Sequence, residues 1–141
     1  MATTRADLIT QSQRKVDTYS DFTNNLAKHP VTSQLVVLKN EDAVRQGFKN
    51  LIYTNVFARF FNPFFGTNIT ASLFELDTPF LVQDIIVAVN LSAKQFEPRI
   101  NLLNVAILDA NDDNAISVNI VFQLVNSPTP INLPILLKRA R

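Results

Sequence analysis

The hydrophobic period changes at Pro98, and that change sets the order of elements this chain can adopt. Upstream, Val82, Ile85, Ile86, Val89, Ala93 and Phe96 recur every three or four residues, the spacing of one helix face. Leu81, Val87 and Leu91 fall off that face. The helix is thus apolar nearly all round and is expected to lie centrally, covered on more than one side. Thr78-Pro79 opens it, as an N-cap followed by a first-turn proline. Pro98 ends it, because the ring locks its own φ and drives Glu97 out of the α region. In the extended segment that follows, side chains two apart share a side. Glu97 and Arg99 are therefore presented together on a stiff backbone.

Beyond Pro98 the period is two. Leu103, Val105 and Ile107 alternate with Leu102, Asn104, Ala106 and Leu108; Ile116, Val118, Ile120, Phe122 and Leu124 alternate with Ser117, Asn119, Val121 and Gln123. Two strands joined across the polar stretch Asp109 to Asn114 are expected. Pro128 and Pro130 are expected to end that hairpin, and Ile131 to Leu137 to form a third strand that Pro134 confines to an edge or a bulge.

Ahead of the central helix, Asn40-Glu41-Asp42 reads as a cap and an acidic first turn. Val44, Phe48, Leu51, Ile52 and Val56 follow at helical spacing, predicting a helix from Glu41 to Asn55. Gly47 in its middle weakens it and permits a close contact. A short helix from Ile69 to Glu75, with Leu73 and Phe74 inward, and a strand within Val31 to Leu38 complete the pattern. Phe57, Phe60, Phe61, Phe64 and Phe65 crowd one corner. They either plug an end of the core or form a docking patch. The expected fold is α/β of the α+β type. It is a single domain with about three helices on a small, mostly antiparallel sheet, ending in a C-terminal hairpin and edge strand. Residues 1–18 read as an arm, either frayed or ordered only against a partner, and residues 19–141 as the domain.

The residues exclude most chemistry. There are 13 basic and 12 acidic residues for a net charge of +1, too little to serve a protein that neutralises phosphate; no nucleic-acid partner is expected. With no cysteine and a single histidine, His29, thiolate chemistry is impossible and neither a metal centre nor a histidine-based triad is expected. Two glycines cannot build a phosphate-binding loop. Asp109, Asn111 and Asp113 imitate the opening of a calcium loop, but Ile120 stands where its closing glutamate belongs; an Asx-rich turn explains them. The first residues lack a signal-peptide core, and no apolar run approaches ~20 residues, so a soluble protein without membrane or cofactor is expected. The Glu97–Arg99 pair is either a surface ion pair or a pre-stiffened docking device.

Six blocks in order carry a resemblance. They are His29-Pro30-Val31-Thr32, Leu38 to Val44, Asn50-Leu51-Ile52, Arg59 to Gly66, Leu73-Phe74-Glu75 and Phe96-Glu97-Pro98-Arg99. Together they resemble the small baseplate-wedge or sheath-initiator family of contractile-tailed bacteriophages, with relatives in type VI secretion and other injection machines. At Phe57-Ala58, many relatives carry Gly-Glu before the arginine. The resemblance implies a virion structural protein of the tail baseplate, assembled in the host cytoplasm. It implies docking through Glu97, Pro98 and Arg99 on the helical core bundle of other wedge proteins, beside the tail tube. It also implies that the C-terminal strands, residues 101–138, are like the sheath protein's handshake region. Ile131, Leu133, Ile135 and Leu137 then become the sheath-contact candidates, on a β-edge that the first sheath ring can extend. The other function considered is a peptidoglycan hydrolase of the baseplate with Glu97 as its acid. The expectation is a non-enzyme.

Overall fold

The computed structural model describes residues 18–72, 79–110 and 115–138. In chain order it has β1 (Ser20–Phe22), β2 (Val37–Lys39), α1 (Glu41–Tyr53), α2 (Ile69–Ser72), α3 (Pro79–Phe96), β3 (Ile100–Ala110), β4 (Ala115–Leu124) and β5 (Ser127–Lys138). β1 and β2 form a small antiparallel ribbon, and β3-β4-β5 a three-stranded antiparallel sheet. This is the expected mixed architecture. Leu73 and Phe74, the Thr78 cap, most of the 109–114 turn, residues 1–17 and the last three residues lie outside the described residues.

α1 and α3 pack on one face of the three-stranded sheet. Val44, Phe48, Leu51 and Ile52 of α1 are buried with Leu81, Ile85, Val89 and Ala93 of α3. Against them stand Val118, Ile120, Phe122 and Leu124 of β4, and Ile131, Leu133, Ile135 and Leu137 of β5. The period of two puts the inward residues on one side of each strand. At the centre, Phe48 meets Phe122 edge-to-face, with centroids 5.5 Å apart, a favoured aromatic geometry.

Several expectations need correction. α3 is covered on one side only: Phe80, Val82, Val87 and Leu91 are exposed, whereas Leu81 is buried. A small sheet offers one face for two helices, so among the described residues nothing covers the outer side of α3. The strand expected over Val31 to Leu38 shrinks to Val37–Lys39. Pro30 and Thr32 fall in a turn in which His29 Nδ1 accepts from the Val31 and Thr32 N–H groups at 3.3 Å. Pro128 and Pro130 lie within β5, not beyond it, because an edge strand tolerates a missing donor on its outer side. Asn40 precedes α1 as expected but makes no side-chain cap bond. At φ 48° its Oδ1 turns the other way and accepts from the Thr18 N–H at 2.9 Å.

Candidate functional site

Glu97 and Arg99 do come together, but not as two open charges. Glu97 closes α3, its N–H donating to the Ala93 carbonyl at 2.9 Å. Arg99 opens β3, its carbonyl accepting from the Val125 N–H at 3.0 Å. Between them the Pro98 turn lets the guanidinium reach back over the carboxylate. Arg99 Nε donates to Glu97 Oε1, and Arg99 Nη2 donates to Oε2 at 2.7 Å, a two-pronged charge-assisted pair. The carboxylate hydrogen bond pushes the guanidinium pKa further above its ordinary value, outweighing the opposing effect of burial. The Glu97 side chain is 8 % exposed and the Arg99 side chain 39 %. The outer surface of this corner is therefore Arg99 and the exposed Pro98, with Glu97 behind them.

Other elements converge on the pair. The Tyr19 ring lies 5.4 Å from Arg99 Cζ, and its hydroxyl accepts from Asn126 Nδ2 at 3.1 Å. Gly47 of α1 faces the pair directly: a Cβ there would sit 3.5 Å from Arg99 Nη2 and 3.8 Å from Glu97 Oε2. A long side chain at position 47 would have to displace the ion pair. The neighbourhood thus joins the chain just before β1, the middle of α1, the α3–β3 corner and the β4–β5 turn. The contributions of Tyr19, Gly47 and Asn126 rest on tertiary contact. Only Gly47 had a sequence signal, as a glycine inside a helix.

A second surface feature follows α1. Phe57, Phe60, Phe61 and Phe64 are exposed, Phe60 and Phe61 fully. Only Phe65 packs against the core, with its ring centroid 5.1 Å from that of Phe96 and Arg59 Cζ 3.9 Å from its ring. Of the two readings of this cluster, core plug and docking patch, exposure leaves the plug to Phe65 alone. The loop is tied down: the Phe57 N–H donates to the Pro63 carbonyl at 2.6 Å, and the Thr67 N–H to the Thr54 carbonyl at 2.8 Å.

The sheath-contact candidates Ile131, Leu133, Ile135 and Leu137 have buried side chains. Any contact made by their strand runs through its backbone or through the alternate residues Asn132, Pro134 and Leu136. Among the described residues no helix is long and apolar enough to cross a membrane.

Residues 39–129 match the family described as baseplate wedge protein gp25. This chain belongs to that family. It is similar to the baseplate wedge protein gp25 of Enterobacteria phage T4, 28 % identical over 89 residues, which span 63 % of this chain and 67 % of that protein. Three solved structures share the fold. A protein called a tail lysozyme from Geobacter sulfurreducens superposes with a TM-score of 0.68 at 21 % identity, covering 75 % of this chain and 97 % of that one. A chain of the anti-feeding prophage baseplate gives 0.61 at 17 % identity, covering 87 % of each. A chain of the postcontracted pyocin R2 baseplate gives 0.57 at 15 % identity, covering 70 % and 96 %. As a gp25-family protein, the chain is a structural component of a contractile-tail baseplate.

Proposed function

We propose that this chain is the joint between the baseplate wedge and the tail sheath. It docks on the helical bundle of larger wedge proteins through Pro98 and Arg99, beside the tail tube, and its three-stranded sheet then receives a strand from the first sheath ring. The observation that supports docking is the Glu97–Arg99 geometry. A buried carboxylate holds a half-exposed guanidinium in one orientation, so little side-chain entropy remains to be lost when a partner carboxylate or carbonyl meets it. Glu97 is then a positioning residue and Arg99 with Pro98 the contact. The tied-down aromatic loop offers a further apolar contact of the kind that dominates interfaces. Assembly of this joint takes place in the host cytoplasm, and the finished joint stays in the virion.

The test is co-purification with the wedge partners. Arg99→Lys keeps a charge but loses the planar fork, and Pro98→Ala loosens the turn. Both variants should melt near the parent temperature yet retain about tenfold less partner, a difference of ~1.4 kcal/mol. Parental recovery by both folded variants would remove this corner from the interface. The hydrolase reading is tested by clearance of a peptidoglycan suspension. None is expected, because both Glu97 oxygens face Arg99 instead of an open cleft; clearance lost in Glu97→Gln would reverse that.

A further inference from the structure

Asn40 stands where a helix cap belongs, yet it serves the chain ahead of β1 instead. Its backbone is at φ 48° and ψ −110°, the angles of the first central residue of a type II′ turn, where glycine is the ordinary occupant. Holding a side chain there costs strain. α1 gains no cap in return, because Asn40 makes no side-chain cap bond. What the conformation holds is Tyr19. Asn40 Oδ1 accepts from the Thr18 N–H at 2.9 Å and from the Tyr19 N–H at 3.4 Å. The Asn40 N–H donates to the Tyr19 carbonyl at 2.8 Å. Both backbone groups of Tyr19 thus end on this one strained residue.

The far end of Tyr19 is fixed as well. Its hydroxyl accepts from Asn126 Nδ2 at 3.1 Å, and the adjacent Val125 N–H donates to the Arg99 carbonyl at 3.0 Å. One turn therefore anchors both the tyrosine hydroxyl and the arginine backbone. The ring between these anchors is half-buried, with its centroid 5.4 Å from Arg99 Cζ, within the range of cation–π attraction. Glu97 grips the guanidinium edge-on, at Nε and Nη2. An edge-on grip fixes the fork in its own plane but leaves it able to rock out of that plane. A ring over one face stops the rocking. Tyr19 lies ahead of the residues that match the family, 39–129, so the likeness assigns it nothing.

We infer that Tyr19 is a positioning residue of the docking corner: held by Asn40 and Asn126, its ring fixes the tilt of the Arg99 guanidinium before a partner arrives. The strain at Asn40 is what the chain accepts to keep the ring there. The inference rests on the docking reading above and adds to it the residue that sets the orientation of the contact.

The first readout is on the free chain. The Arg99 Nε–H resonance, identified by its loss in Arg99→Lys, should exchange slowly with water, and the Tyr19 ring protons should show a nuclear Overhauser contact to the Arg99 δ-methylene. Tyr19→Leu should speed that exchange about tenfold, and Tyr19→Phe, which keeps the ring, by less than about threefold. The second readout is recovery of co-expressed wedge proteins. Tyr19→Leu should retain about tenfold less partner, as Arg99→Lys does, while Tyr19→Phe stays within about threefold of the parent. The two changes Tyr19→Leu and Arg99→Lys together should lose no more than either alone, because both act through one guanidinium. Losses that multiply would make Tyr19 a contact in its own right and overturn the positioning role. Parental exchange and recovery in Tyr19→Leu, beside a loss in Arg99→Lys, would overturn it too and leave docking at Arg99 standing. Parental recovery in Arg99→Lys would remove the docking reading, and with it the function assigned to Tyr19, even where the ring slows exchange. Should Tyr19→Leu fail to fold, the ring-to-arginine contact in the parent decides: its presence supports the hold and its absence overturns it.

Discussion

Arg99 matters more to the folding of this chain than Glu97, although the two form one pair. Removing Glu97 leaves a guanidinium that can turn to solvent; removing Arg99 leaves a carboxylate buried behind Pro98 with its partner gone. Arg99→Ala should therefore cost about 2–3 kcal/mol and Glu97→Ala about half of that, measured by urea unfolding of the isolated chain. Equal costs would mean that Glu97 reaches water by another route. Two backbone positions carry predictions of their own. Gly66 has φ 121°, and a Cβ there would come 2.3 Å from the Thr54 carbonyl oxygen. Gly66→Ala should lower stability by at least about 1–3 kcal/mol from backbone strain alone. Phe57 has φ 68°, a region costly for a bulky side chain. Its ring is exposed, so Phe57→Gly should stabilise by roughly 0.5–1 kcal/mol.

At the scale of elements, α1 and β4 carry the core and the surface loop does not. Phe122→Ala removes the ring that meets Phe48 and should cost about 3–5 kcal/mol, read by urea unfolding. The paired change Phe60→Ser and Phe61→Ser should move the free protein's stability by no more than about 0.5 kcal/mol, since neither ring is covered. The same pair should weaken wedge co-purification if the aromatic loop is an interface. A melting curve of the free chain and a pull-down separate the two effects. α3 divides along its length in the same way, with Leu81, Ile85, Val89 and Ala93 inward and Phe80, Val87 and Leu91 outward. A helix this apolar with one side in water suits a protein whose surroundings are other subunits.

For the whole molecule, the Glu97–Arg99 corner joins segments distant in sequence: the stretch before β1, the middle of α1, the α3–β3 bend and the β4–β5 turn. Binding there is coupled to the placement of the sheet, because Arg99 is also the residue that starts the β3 ladder. A partner that gripped Arg99 would thereby also fix the angle of the sheet, which is what the proposed joint requires. Position 47 tests that coupling. Gly47→Ala meets only ordinary van der Waals contact and should be tolerated, gaining up to ~1 kcal/mol of helix propensity. Gly47→Leu should push Arg99 away and lose stability and wedge binding together. Retention of both by Gly47→Leu would show that the pair is not needed to hold the corner.

The sequence by itself determined the order and type of the main elements. The period of 3.6 before Pro98, the period of two after it and the glycine-poor, cysteine-free composition are local properties that survive any packing. Those periods place α1, α3, β3 and β4 nearly where they are found, and the ordered blocks around Glu97-Pro98-Arg99 mark the family. Coverage is not local. Which of five phenylalanines plugs the core and which side of α3 meets water depend on what lies across from each residue. The direction in which Glu97 turns is decided the same way. Pro98 dictates that Glu97 and Arg99 share a side; only the hydrogen-sized side chain of Gly47 and the ring of Tyr19 decide that they face each other inside the corner.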